Sequence, residues 1–445
     1  MSAISVVTSK NKKTISLEEQ FTLTPSLSGL NNSFVEYQKE AWKVFQSISF
    51  PTEKDEAWRR TSLRGLQMDA LKQPNGGVEA GANVPEELIQ PLTGELHGGE
   101  ILLTDTNAVI QLNEELSANG VIFTDLKHAQ VDAPQILEKV ISASKTYQED
   151  KFSSMAAAFA QNGILLYVPR NVVVDKPLHS LIWSSGDKML NAHQIFVYLE
   201  ENSSATYVHE SSSPHDADGQ NLHAALIEVH VGPGAKLNFV ELQSLGVKEW
   251  NFTHEKVNVE RDAEVDWIFG SLGSHLTKNF SDLNLVGEGS TGKMSGFYFT
   301  NGNQHLDHDT QQNHLAANTT SDLLFKGALL DESRSVWQGM IYVDESATKT
   351  DGYQANRNLV LSEKARADSI PGLEIKTDDV RCTHGATVGK IDADQVFYLE
   401  SRGIPRKEAE KLIVEGFFDP IMQRIPFEGV RNRFQNAIEQ KMNEY

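Results

Sequence analysis

Apolar residues change their period twice along this chain. From Phe34 they recur as Phe34, Tyr37, Ala41, Phe45 and Ile48, with Asn31, Asn32 and Ser33 ahead as capping residues, and this spacing predicts one amphipathic helix. A second helix is expected to begin in the stretch Pro51 to Thr61, with Pro51 set just ahead of it and Trp58 as a core anchor. Residues Leu71 to Val84 turn to Gln, Pro, Asn, Gly and Ala and read as a loop, and residues 1–16 read as a polar, frayed end. From Gly99 to about Leu166, short apolar strings such as Ile101-Leu102-Leu103 and Val121-Ile122-Phe123 alternate with helical ones such as Ala133 to Ala143. That mixture predicts a small α/β segment, closed by the run Lys151 to Ala160, whose small side chains let backbones approach closely.

From Gly163 to about Pro371 the period shortens to that of strands. Ile195-Phe196-Val197-Tyr198-Leu199, Leu226 to Val231, Lys256 to Glu260 and Asp282 to Val286 begin at intervals of roughly 26 to 32 residues, most followed by a turn such as Gly232-Pro233-Gly234 and a further strand. Such regularity suits the stacked coils of a β-solenoid, and it equally suits a sandwich or barrel. After Gly389 helical spacing returns. Asp394 to Arg402 stops at Gly403, Pro405 opens a helix with Ala409, Leu412, Ile413 and Phe417 on one face, and Phe427 to Met442 forms another. Three regions are expected: 1–162 helical and mixed α/β, 163–389 the β core, and 390–445 helical. The apolar faces of the last region need the end of the core or a partner to cover them.

With 445 residues the chain is long enough for a large core, and its single cysteine forbids an intrachain disulfide, which suits a reducing compartment. The balance of 40 Lys+Arg against 61 Asp+Glu, a net charge of −21, argues against nucleic acid or anionic lipid as a partner. No run reaches the length of a membrane span and the first residues lack a signal-peptide core, so a cytoplasmic protein is expected. A phosphate loop, a dinucleotide fingerprint and a nucleophile elbow are all missing.

Two places carry candidate chemistry. Cys382 and His384 lie two residues apart in a run of small and β-branched residues, read as a strand crossing into a turn. They should share one side, where sulfur and imidazole suit iron, zinc or copper. Local chemistry alone favours a packed cysteine and a hydrogen-bonded histidine. The segment His305-Leu306-Asp307-His308-Asp309-Thr310-Gln311-Gln312-Asn313-His314 reads as a loop rich in metal ligands. It raises the alternative of a β-solenoid metalloenzyme or carbohydrate-binding protein, against a structural role as hydrogen-bonding struts.

The runs Cys382 to Gly389 and Phe397 to Ile404, the upstream Leu373-Glu374-Ile375 and the Pro51-x-x-x-x-Glu-x-Trp-x-x-Thr pattern closely resemble signatures of the SufB/SufD family of the SUF iron–sulfur cluster assembly machinery. The resemblance implies a right-handed parallel β-helix core and a non-catalytic scaffold subunit. It implies pairing with a SufB-type paralogue, or a homodimer in isolation, and a SufC-type ATPase on the C-terminal helices at Leu412, Ile413 and Phe417. The cofactor implied is a nascent iron–sulfur cluster, transient and shared with the paralogue, with none held by the isolated chain. His384 would supply a ligand or handle a proton there, with Cys382 the secondary candidate. A SufB-type chain is expected to carry a cysteine before the strand matching Leu359-Val360-Leu361 and a His-Glu pair in the signature. Asn356 and His384-Gly385 stand there instead, which resembles the SufD type.

Overall fold

The computed structural model describes residues 16–26, 32–74, 84–93, 97–104 and 107–444. The frayed end, the cap at Asn31 and most of the loop after Leu71 lie outside these residues. The N-terminal part runs α1 (Leu17–Gln20), α2 (Asn32–Ser47), α3 (Glu86–Ile89), β1 (Gly99–Thr104), β2 (Asn107–Leu112), α4 (Glu114–Ala118), β3 (Ile122–Asp125), α5 (Leu126–Asp132), α6 (Pro134–Ala143) and α7 (Lys151–Phe159). The helix expected from Pro51 is instead a single 3₁₀ turn, Glu56–Trp58. Trp58 does anchor the core, wedged among Phe152, Phe252 and Phe280, and Thr61 just after it is tied to His305 and Asp307.

Sixteen strands follow. They are β4 (Gly163–Val168), β5 (Leu178–Trp183), β6 (Leu190–Leu199), β7 (Ser204–Ser212), β8 (Asn221–Val231), β9 (Lys236–Ser244), β10 (Glu249–Val259) and β11 (Glu264–Ser271). Then come β12 (Leu276–Leu285), β13 (Thr291–Thr300), β14 (His305–His314), β15 (Thr320–Leu329), β16 (Arg334–Val343), β17 (Thr350–Val360), β18 (Arg366–Ile375) and β19 (Val380–Lys390). From β4 onward odd-numbered strands lie in one sheet and even-numbered strands in the other, and each pairs in parallel with the strand two along, one turn away in sequence. This is a β-solenoid of about 8 turns, and the sandwich is excluded because sequence neighbours are not hairpin partners.

One corner of each turn is built alike. Asn171, Asn202, Gly234, Asp262, Gly289, Asn318 and Lys349 all take positive φ, between 56° and 75°. Their N–H groups donate in succession to the carbonyls of Glu201, Pro233, Arg261, Glu288, Ala317, Thr348 and Asp379 on the following turn. Gly, Asn and Asp reach this conformation at least cost, so their recurrence is what turns an extended chain into stacked coils. At Gly234 a β-carbon would fall 2.5 Å from Asn202 Oδ1, so glycine also relieves a contact there.

Three cores result. The interior holds Ile195, Val229, Val257, Val265 and Trp267 at alternate positions. The outer face of the even sheet is covered by α2 and α7, where Ala156, Ala157 and Ala158 bring the backbone close to Phe252 and Leu226. The outer face of the odd sheet is covered by the C-terminal helices α9 (Arg406–Met422) and α10 (Glu428–Glu444), with α8 (Ala393–Ser401) packed against α9. Each fully buried Leu or Phe contributes about 1.5–3 kcal/mol, and both outer layers therefore belong to the folding unit.

Candidate functional site

The solenoid ends at β18 and β19, each with a neighbour on one side only. Pro371 sits mid-strand in β18, a place an edge strand tolerates because one row of N–H groups has no ladder to join. On β19 the run expected to turn stays extended from Val380 through Lys390, a correction to the sequence reading, since both glycines of that run pair in register with β17. Cys382 lies over Gly352 and His384 over Gln354. Being two apart, they do share a face, the one toward the interior, and with no further turn above them they line the solenoid's mouth.

Their environments differ. Cys382 is half-buried beside Ile341, Val343, Ala347 and Val380, and burial pushes its thiol pKa up, opposed by a hydrogen bond from the Gly352 backbone. A β-carbon on Gly352 would lie 3.2 Å from Cys382 Sγ and 3.4 Å from His314 Nε2, so the sulfur is packed down toward the turn below. His384 is exposed. On the same last turn Leu373, Ile375 and Val388 are 36–48% exposed, an apolar rim that the chain itself leaves uncovered.

At the first position where the sequence departs from the SufB pattern, Asn356 is fully buried. Its amide donates to Tyr298 Oη at 3.3 Å, and its Oδ1 accepts from Asn358 at 2.6 Å and Ser369 at 2.5 Å. This closed polar network, just inside the mouth, was not recognised from the sequence.

The His305–His314 segment is corrected more thoroughly. It is strand β14, not a loop, and alternation sends His308 and His314 inward and His305 and Asp307 outward, so the three imidazoles diverge. His308 is enclosed by Phe269, Tyr298 and Phe325, and burial pushes its pKa down to about 3. His314 has both nitrogens engaged, with Thr319 Oγ1 at 2.7 Å and Ser321 Oγ at 2.8 Å. Outside, Thr61 donates its one hydroxyl proton to Asp307, so His305 Nε2 must donate to Thr61 at 2.9 Å. Asp307 also pairs at 3.0 Å with Lys278, both side chains fully buried, and Lys278 lies over the Phe280 ring. These residues fasten the Trp58–Thr61 segment to the solenoid. Among the described residues no group of three or more His, Cys, Asp or Glu is arranged to hold a metal ion.

In the C-terminal helices the buried line of α9 is Ala409, Val414, Phe418, Ile421 and Met422, rotated from the face expected. Leu412 is 40% exposed, while Ile413 and Phe417 are half-buried. Lys326 Nζ donates to the Phe417 carbonyl at 2.5 Å and lies over its ring, so Phe417 is partly committed to its own chain. On α10, Val430, Phe434, Ile438 and Met442 recur every fourth residue and pack with Phe297, Phe299 and Ile268. The sequence reading missed Phe397 and Tyr398 as surface residues. They are 70% and 57% exposed on α8, which packs against α9, and two adjacent aromatics on a short helix were the available signal.

The SufBD core domain of the SUF system FeS cluster assembly family matches residues 182–417, and the SufBD protein N-terminal region matches residues 25–179. The iron-sulfur cluster assembly protein SufD of Bacillus subtilis is 32% identical over 343 residues, 76% of this chain and 77% of that protein. SufBD family proteins of Staphylococcus saprophyticus and Staphylococcus epidermidis are 28% and 27% identical over 317 residues, 71% of this chain and 68% of theirs. The chain belongs to the SufBD family of iron–sulfur cluster assembly proteins.

Proposed function

We propose that this SufBD-family chain is a non-catalytic, cytoplasmic scaffold subunit of the SufD type, which helps to build a nascent iron–sulfur cluster and pass it on. The observation that carries the reading is the open end: two unpaired edge strands, an apolar rim and an exposed imidazole on the last turn. A long exposed strand edge is a template for pairing, and a SufB-type paralogue with a similar end would cover the rim and enclose His384. A second copy of this chain would do the same when no paralogue is present.

His384 would then supply one iron ligand, or handle a proton, at a site completed by the partner. Imidazole suits iron, and a site assembled from two chains leaves positions through which a cluster can depart. Cys382 is the weaker ligand, because its sulfur is packed and its raised pKa disfavours the thiolate. Phe397, Tyr398, Leu412 and Ile413 would receive a SufC-type ATPase as the energy source of the assembly. Co-purification of the tagged chain from its host, with partners identified by mass, tests the reading. Recovery of neither a paralogue nor an ATPase would overturn it.

A further inference from the structure

The solenoid interior changes character across its width. Beside the Asn202 and Asp262 corner it is aliphatic and aromatic, whereas the other half carries His193, His209, His223, Asn251, Glu241 and Glu255, all buried. A cavity of about 10 Å³, room for one water, is lined by the three histidines, Glu241, Asn251 and Asn279.

Glu241 comes from β9 and Glu255 from β10, in opposite sheets. Along its ladder Glu241 is flanked by His209 and Phe269, and Glu255 by Ile227 and Ser281. They are 6% and 2% exposed, and their carboxyls are in hydrogen-bonding contact. Glu255 Oε2 accepts from Ser281 Oγ at 2.7 Å. The oxygens Glu241 Oε2 and Glu255 Oε1 are fully buried and receive no N–H or O–H from the protein. Two carboxylates brought together in this way repel, and one proton between them turns the repulsion into a charge-assisted hydrogen bond.

We infer that Glu241 and Glu255 share a single proton across the solenoid, so that the folded chain holds one bound proton between its two sheets at neutral pH. The groups that face the pair supply no alternative. His209 has both nitrogens occupied, by Ser180 Oγ and Ser211 Oγ at 2.9 Å each, and burial pushes its pKa down to about 3. His223 donates Nδ1–H to Asn251 and is pushed down to about 4, and burial likewise holds His193 well below its usual value. The indole of Trp267 faces Glu241 from β11, the Tyr207 hydroxyl, bonded to Ser180 Oγ at 2.7 Å and with its pKa pushed up by burial and by Glu241, approaches from β7, and Asn279 faces Glu255 from β12. His254 does favour its charged form, but it lies on the outer face of β10 and is paired at 3.2 Å with Asp150. Burial, followed by the neighbouring carboxyl, raises Glu241 well above its usual range, and burial raises Glu255 to about 7.

Because both folded values exceed the unfolded ones, the pair's stabilisation is complete below the ordinary glutamate range and is lost as pH rises through about 7 and above. The test compares the thermal midpoints of wild type and Glu241→Gln from about pH 5 to about pH 9. The glutamine amide donates to Glu255 at every pH, so the midpoint of the variant should gain on wild type as pH rises. A gap that stays constant across that range would overturn the inference. Should Glu241→Gln fail to fold, Glu255→Gln reverses the roles and carries the same expectation. Infrared spectroscopy of the wild type near pH 7.5 should also show the carbonyl band of a buried protonated carboxyl, and its absence would overturn the assignment independently.

Discussion

The two ends of the solenoid solve the same physical problem in opposite ways. At the N-terminal end, the odd sheet is closed by β2 folding antiparallel onto β1 and the even sheet by β3 antiparallel onto β4, with α5 and α6 alongside. Leu103 and Phe123 there are only 0% and 1% exposed. At the C-terminal end β18 and β19 run parallel to their neighbours for a full turn and stop, and Leu373, Ile375 and Val388 remain at least 36% exposed. A chain able to cap one end with short antiparallel strands leaves the other open, and the exposed histidine sits on the open one. The difference teaches that uncovered apolar surface and free strand edges collect at one end of the solenoid, the end at which the proposed partner would bind.

The comparison breaks first at the capped end. Leu103→Asp should cost about 4 kcal/mol or more and leave little folded protein, measured by chemical denaturation, because it buries an unpaired charge. The mirror experiment at the open end is His384→Ala. It should leave the thermal midpoint and the partner complex unchanged and abolish cluster assembly in cells lacking another pathway. Normal assembly would refute the site, and an unfolded variant would return His384 to a structural role.

A smaller effect is expected on the helices. Leu412→Asp with Ile413→Asp should weaken ATPase binding about 100-fold at little cost to the solenoid, since α9 buries its other face. If the double variant still co-purifies with the ATPase at wild-type yield, the docking surface proposed on the C-terminal helices is wrong. Leu373→Lys should weaken pairing with the paralogue about tenfold, read by analytical ultracentrifugation, because a lysine on an edge strand discourages strand pairing. Cys382→Ser should matter least, lowering stability by about 1 kcal/mol through lost packing and assembly only modestly.

Much of this was legible. The repeat of short strands predicted the β core but suited a sandwich as well as a solenoid, and the family resemblance was what favoured stacked turns; Pro405 and Gly403 marked helix boundaries, and the Cys382–Gly389 run marked the strand that carries His384. One legible signal was passed over: Asn, Asp or Gly returns at each corner from Asn171 to Asn318, and only Gly232-Pro233-Gly234 was noticed. The His305–His314 segment misled because polar residues usually mean a loop. Inside a solenoid a strand can carry them, since each side chain meets a partner from the turn above or below.

What the sequence determined by itself is local: the period of two through the core, the left-handed corner residues, the helix stops, and the spacing that puts Cys382 and His384 on one face. These follow from backbone sterics and side-chain alternation, which act over a few residues. Only the tertiary structure decided that β19 is the last turn, that His384 is exposed while Cys382 is packed, that Leu412 faces away from the solenoid, and that Glu241 meets Glu255. Each of those depends on which surfaces are brought together from distant parts of the chain. Burial belongs to the assembled fold, and no single segment carries it in its own sequence.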